Sequence, residues 1–440
     1  MLPGFVLQYP AKIEAEFAME DIKYEVAHNL DEAWLNFEPD IPIRPLAGGP
    51  NPFYVQRPDN ESERLKRGLL RPYYRPPKRF LSGHNGCGKS TELYRLAADT
   101  EINTKYWPVH FSIRHEADIN SLDFKDVLLI IGTQLYIQYQ DKSGKKLSHE
   151  LLAELEAWRG KIEEEITSLR AGRMEGGLEA RLSAGIAEIA SKIRLEPKTR
   201  HEIRQVIERD INGLIDVINK ITADIEAREK RPPLILIDDL DKPDLDTARG
   251  IFFERRQIML RPTCPIIYTP GFKLLDAEAT FLPNVKLHDR DDQAARNAEG
   301  YYTLRTFVHR RMEANLITDE ALDLAAKMSG GVFRELTRLM RSGIDLTLAD
   351  GRTCIEVVDM QGAAAEIRDF YWRTLTAESR QILEHVRQYH EMPERGEREA
   401  ELLKMLAVLE YANRVKWYDI HPVLHDLLDT FPVQTNGNDD

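Results

Sequence analysis

Residues Gly83 to Thr91 read Gly-His-Asn-Gly-Cys-Gly-Lys-Ser-Thr, and further on the chain runs Leu234-Ile235-Leu236-Ile237-Asp238-Asp239. The first string places Gly83, Gly88, Lys89 and Ser90 at the fixed positions of a phosphate-binding loop, G-x-x-x-x-G-K-[ST]. A polyphosphate is held by several main-chain N–H groups pointing inward, and bulky side chains on the loop would block its approach. Gly83, Gly86 and Gly88 leave those amides bare, with His84, Asn85 and Cys87 between them, and the positive end of a following helix adds to the field. Lys89 reaches the outer phosphates. Ser90 offers an oxygen to Mg²⁺, a small octahedral ion that keeps most of its waters, and Thr91 extends the same helical turn. The second string is a run of branched apolar residues delivering two carboxylates, which suits a central parallel strand. On this reading Asp238 stands near the metal and Asp239 orients the attacking water. Together the strings predict a site for ATP or ADP with Mg²⁺.

The flanking residues supply the order this chemistry needs: strand, glycine loop, helix. Lys78 to Ser82 reads as a buried strand and Glu92 to Ala98 as a helix former. Tyr106 to Ile113 is a second strand, Asp118 to Gln140 has helical periodicity, and Cys264 to Thr269 is a further strand. Asn284 to Leu287 reads as another, and Thr247 to Leu260 as helical. Pro50 to Arg79, rich in Pro, Tyr and Arg, is expected to be an extended lead-in. Between the two strings, residues 141–231 are charged and poor in proline. There Leu178, Leu182, Ile186, Ile189 and Ile193 share one helical face, for packing on neighbours or for docking a partner. Residues 293–348 are all helical in pattern. Helices followed by a short strand or hairpin at Arg414 to Tyr418 suggest a C-terminal winged-helix module.

At 440 residues the chain should form two to four domains. The predicted fold is α/β: a P-loop core with a parallel sheet (51–140 and 232–292), an N-terminal extension (1–50) and a helical insertion (141–231). A helical lid (293–365), a winged helix (366–433) and an acidic tail (434–440) follow. The net charge of −13 argues against a non-specific coat for nucleic acid. Cys87, Cys264 and Cys354 lack metal-ligand spacing and point to a reducing, cytoplasmic setting. The N-terminus has no signal-peptide pattern, and the most apolar stretch, Val127 to Ile137, is too short to cross a bilayer, so no membrane partner is expected.

The order of loop, acidic strand, further strand and helical lid resembles the AAA+ class, in particular the branch holding the STAND ATPases and the origin-recognition initiators. Tyr54-Val55-Gln56-Arg57, with Leu65 beyond, is similar to the V-G-R-x…L linker that covers the adenine in those families, although the Gly is missing. The resemblance implies adenine contacts from Val55 and Arg57. Gly330-Gly331-Val332-Phe333-Arg334 is similar to the G-x-x-R "sensor 2", which implies that Arg334 reaches the γ-phosphate; a solvated helix arginine is the plainer reading. Thr269 would be the sensor-1 group or a strand-capping threonine. Arg255, Arg256 and Arg261 follow the acidic strand where such proteins place an arginine finger, Arg261 among the candidates. Leu424-His425-Asp426 is similar to the M-H-D string whose histidine contacts bound ADP, with His421 competing for the role.

The class implies a homo-oligomer and a slowly hydrolysing ATPase switch, because Asp239 stands where initiators and motors carry the longer Glu. Similar prokaryotic proteins serve in antiphage defence, which implies a protein partner or a separate effector. The alternative is a DNA-acting initiator or loader. From Arg373 to Asp440 there are 8 basic residues against 13 acidic ones, which disfavours a winged helix on duplex phosphates. Basic residues do cluster at Arg64 to Arg67 and Arg71 to Arg79, beside Tyr73 and Tyr74, either as a nucleic-acid contact or as a solvated face.

Overall fold

The computed structural model describes residues 23–46, 49–166, 178–271, 279–292, 295–393, 396–412 and 415–429. The acidic tail, Arg414 and residues 1–22 and 47–48 of the N-terminal extension lie outside the described residues. Five parallel strands form the central sheet in the order β2-β3-β4-β1-β5: β1 Lys78–Gly83, β2 Trp107–Ser112, β3 Pro233–Asp238, β4 Ile266–Tyr268 and β5 Ala279–Leu282. β4 therefore separates the strand that feeds the glycine loop from the strand that carries the aspartates. This is an α/β P-loop fold, as the sequence predicts.

Alternation along the strands explains why both faces are covered. Phe80, Ile235, Ile237, Ile266 and Tyr268 enter one core, while Leu81, Leu234, Leu236, Ile267 and Leu282 enter another. The first core continues without a break into helices Phe124–Ser143, His149–Glu165, Leu178–Leu195 and Ile211–Glu229. Leu182, Ile189 and Ile193 are buried there, so the apolar face of residues 178–195 packs on its neighbours. The stretch 141–231 is thus a layer of the core. The second core is closed by helix Lys89–Ala98 and by helix Glu61–Leu70 through Leu65 and Leu69.

Beyond the sheet, helices Ala298–His309, Asp319–Met328, Phe333–Ala349 and Val357–Thr374 pack round a core of their own, over the stretch the sequence suggests as a lid, a name kept for this helical unit. Helix Leu30–Asn36 inserts Leu30 and Ala33 into the lid's core. Helices Ala377–Tyr389 and Glu397–Lys404 with the antiparallel hairpin β6 Val408–Ala412 and β7 Lys416–Ile420 make a C-terminal helix–hairpin module with its own core. Helix Val357–Thr374 runs unbroken from the lid into that module.

Three local expectations differ. Residues 61–70 are a helix inside the supposed extended lead-in, because Leu65 and Leu69 share a face that the sheet buries. The strand expected at 284–287 falls at Ala279–Leu282, where it pairs with β1; Val285 donates instead to Gly331 O at 3.0 Å. The helix expected over 247–260 breaks into Leu245–Arg249, a π turn at Gly250–Glu254 and Arg256–Met259. No helix among the described residues is long and apolar enough to cross a membrane.

Candidate nucleotide site

The site is built at the C-terminal edge of the sheet, where β1 ends at Gly83 and the loop leads into helix Lys89–Ala98. Gly88 stands at the N-cap in a left-handed conformation, and no side chain caps the helix. The first-turn amides of Lys89, Ser90 and Thr91 therefore point into the loop without a capping acceptor. Gly86 also has a left-handed φ of 83°, and a Cβ there would collide with Cβ of Arg334. Only glycine fits a loop that the lid approaches this closely.

Lys89 is buried and its Nζ donates to the carbonyls of Gly83 (2.8 Å) and His84 (2.9 Å) while pairing with Asp241 Oδ2 at 2.7 Å. Burial pushes both groups toward their neutral forms. The pairing outweighs it, holding the Asp241 carboxyl below and the Lys89 ammonium above its ordinary value. Asp241 was not among the expected site residues, although the run Asp238-Asp239-Leu240-Asp241 carries it in plain view.

Ser90 and Asp238 meet through a side-chain hydrogen bond, which brings the two expected metal ligands together. Burial and the neighbouring Asp239 push Asp238 up to about 6. Asp239 turns back on itself with a φ of 61°, and its Oδ2 accepts from Ser112 Oγ at 2.6 Å. Ser112 lies opposite Asp238 in the β2–β3 ladder, so strand-end register is the signal that marks it. Thr269, wholly buried, donates its hydroxyl to Ile237 O (2.9 Å) and accepts from Leu240 N–H (3.3 Å), tying down the turn beneath the aspartates.

Arg57 is buried behind the loop. Its Nη1 donates to Cys87 O at 2.5 Å, its Nη2 to Pro283 O, and its Nε pairs with Asp59 at 2.8 Å. Val55 is buried in the lid's core beside it. The lid grips this linker in turn: Arg310 donates to Tyr54 O and Arg311 to Phe53 O. A segment from the N-terminal extension runs along the site, with Ile43 N–H on Thr91 Oγ1 (3.3 Å) and Arg44 over the Tyr94 ring (4.5 Å).

The lid and the C-terminal module both contact the loop. Arg334 N–H donates to Gly86 O at 3.3 Å, while its guanidinium donates to Pro39 O (3.1 Å) and stands 3.9 Å from Asp40. His84 is wholly buried, and its Nε2 accepts from the main-chain N–H of Glu410 in β6 at 2.7 Å. Burial and the Lys89 charge drive His84 down to about 3, so the ring is neutral. Lys242 Nζ donates to Asn85 Oδ1 (3.1 Å), and Lys404 Nζ caps the carbonyls of Lys242 (3.4 Å) and Pro243 (3.3 Å). Gly330 O accepts from Tyr411 OH at 2.7 Å, joining lid to hairpin.

Other expected residues stand elsewhere. Arg261 lies just ahead of β4, at the opposite edge of the sheet, with Nη1 on Asn212 Oδ1 at 2.8 Å. Arg255 and Arg256 stack over Phe124 and Phe80. His425 sits near Arg387, Asp429 and Lys327, while buried His421 accepts from Val423 N–H (3.4 Å) inside the C-terminal module.

No protein-family model matches the sequence. No curated protein matches it either. Solved structures that it is similar to include Drosophila ORC bound to DNA, at 12% identity and a TM-score of 0.39, covering 97% of this chain and 95% of that one. The Aeropyrum pernix ORC2 protein in ADPNP–ADP complexes gives 12% and 0.42, covering 90% and 96%. The Thermotoga maritima RuvB Holliday junction branch migration motor gives 13% and 0.34, covering 86% and 96%. Superpositions this loose lend the chain no function, and its fold rests on its own topology.

Proposed function

We propose that the protein is a Mg²⁺-dependent ATPase of AAA+ type that works as a nucleotide-controlled switch. The single observation that carries this reading is the two-sided grip on the phosphate loop, by the lid at Gly86 and by the C-terminal hairpin at His84. A ligand can shift a two-state equilibrium only through differential affinity, and a full reversal takes about 5.5 kcal/mol. A loop whose residues are clamped by two other modules gives the bound phosphates such a lever.

In this reading the loop amides, with Gly83, His84, Asn85, Gly86, Cys87, Gly88 and Thr91, cradle the phosphates and Lys89 leaves Asp241 for their outer oxygens. Val55 and Arg57 belong to the adenine side. Ser90 and Asp238 hold Mg²⁺, which when bound neutralises phosphate charge. Asp239, held by Ser112, positions the attacking water; Thr269 fixes the turn that carries it. Arg334 exchanges Pro39 O for a phosphate oxygen once the lid closes. Arg261 faces away from its own chain's site, which suits a role in a neighbouring copy of a homo-oligomer. His425 is a weaker candidate for a nucleotide contact than His84, since its charged neighbours belong to the lid and the C-terminal module. The winged-helix assignment is supported by the helix–hairpin order, and the STAND branch with its antiphage setting by motif resemblance alone.

The test is hydrogen exchange at residues 408–412, with mass measurement in parallel, in ADP and in a non-hydrolysable ATP analogue. Faster exchange in the hairpin and a larger assembly with the triphosphate are expected. Identical exchange and mass in both nucleotides would overturn the switch.

A second reading, a DNA-acting loader-type ATPase, is favoured by the docking of the Arg334 helix on the phosphate loop, as the initiator resemblance implies. Binding of a duplex that is lost in Arg380→Glu or Arg387→Glu would support it.

A further inference from the structure

The segment Arg71-Pro72-Tyr73-Tyr74-Arg75-Pro76-Pro77-Lys78-Arg79 carries four basic residues and no acid in a chain whose net charge is −13. It leaves helix Glu61–Leu70 and enters β1 from below, so it lies at the N-terminal edge of the parallel sheet, opposite the phosphate loop. Neighbouring strand entries add to the same edge. Lys105 precedes β2, Lys230 and Arg231 precede β3, and Arg261 precedes β4.

The edge is built to hold its shape. Lys105 Nζ donates to the carbonyls of Leu69 (3.0 Å), Leu70 (3.0 Å) and Arg71 (2.8 Å), pinning the start of the segment, and stands 5.0 Å from the Tyr73 ring centroid. Tyr73 bonds to the hydroxyl of Tyr106. Lys78 Nζ donates to Pro262 O at 2.6 Å and to Cys264 O, fastening the far end, and burial brings it down to about 8. Three prolines fix φ between these anchors. Lys78 and Lys105 are thus structural, and the groups left facing solvent are Arg71, Arg75, Arg79 and the fully exposed Tyr74. None of the three guanidiniums pairs with a carboxylate among the described residues. The nearby acids are largely engaged: Glu61 and Glu63 pair with Arg64 and Arg67, and Asp99 and Glu101 with Lys66. The charge of Glu226 is felt at Tyr73.

We propose that this edge binds single-stranded nucleic acid, with Arg71, Arg75 and Arg79 on the phosphates and Tyr74 as a stacking platform for a base. Cations alone would suit any polyanion. An aromatic ring wholly in water, on a proline-stiffened loop between two arginines, gains by stacking on an unpaired base, and a duplex offers none along its length. The face rests on neither reading of the nucleotide site, from which the sheet separates it.

The experiment is fluorescence anisotropy of the full chain with a labelled oligo-dT and with a duplex of equal length, across a salt series. The single strand should bind more tightly than the duplex, and its affinity should fall steeply with salt. Arg71→Glu/Arg75→Glu should lower it more than tenfold, and Tyr74→Ala by about tenfold with the salt slope unchanged. Both variants should keep wild-type ATP binding and melting temperature, which verifies that they fold. Absence of oligo-dT binding at low salt would overturn the proposal, as would wild-type affinity in the arginine variant. Equal duplex binding with no effect of Tyr74→Ala would overturn the single-strand assignment.

Discussion

At the residue scale, the buried pair of Lys89 and Asp241 sets the starting state of the site. The lysine is already held by an acid and two carbonyls, so bound phosphate must replace three contacts at once. Asp241→Asn removes the strongest of them. It should tighten ATP binding measured by calorimetry while lowering the melting temperature of the ligand-free protein. Breaking a buried pair typically costs about 3–5 kcal/mol. Weaker ATP binding by that variant would mean that Asp241 serves the nucleotide directly. Asp238 makes a pH prediction. Its carboxyl holds a proton up to about pH 6, and Mg²⁺ needs the carboxylate. Mg²⁺-dependent nucleotide affinity should fall as pH drops through about 6 and stay level above it, and Asp238→Asn should abolish the dependence. The same raised value means that the folded chain binds this proton more tightly than the unfolded chain does. The group's contribution to stability therefore declines as pH rises from the ordinary aspartate range to about 6, then stays constant.

At the element scale, the strands and the loop were legible because each obeys a local rule. An unbroken apolar run ending in acids marks β3, its place just ahead of the glycines marks β1, glycine spacing marks the loop, and helical periodicity marks residues 178–195. The helix at Glu61–Leu70 was hidden by its proline-rich surroundings, and β5 was misplaced because Val285 and Leu287 alternate with polar residues as a half-buried strand would. The contact from His84 to Glu410 joins residues 326 apart in sequence, and no local pattern encodes such a pairing. Gly330 shows how tightly the lid meets the same hairpin: it has a φ of 58°, and a Cβ would run into Leu409 Cδ1. His84→Ala should loosen the hairpin from the loop and speed ADP release, read by chasing a fluorescent ADP analogue. Removing one partner of a buried hydrogen bond costs about 1–3 kcal/mol, so a several-fold faster release is expected. An unchanged rate would remove the hairpin from control of the site.

At the scale of the whole molecule, the two edges of the sheet carry different groups. The C-terminal edge gathers the loop, the aspartates, the lid and the C-terminal module; the N-terminal edge presents arginines and tyrosines to solvent. The sequence singled out Lys89, Ser90 and Asp238, which the fold brings to the first edge. It left Ser112 unread, because its place depends on which strands lie side by side, and Asp241, because its pairing with Lys89 joins distant parts of the chain. All of the functional reading depends on nucleotide reaching that first edge. The most direct test is titration calorimetry of ATP with Mg²⁺ into the purified full chain, beside a Lys89→Ala variant verified as folded by circular dichroism. Saturable binding by the wild type and none by the variant is the predicted result; no heat from the wild type, or equal binding by both, would contradict it.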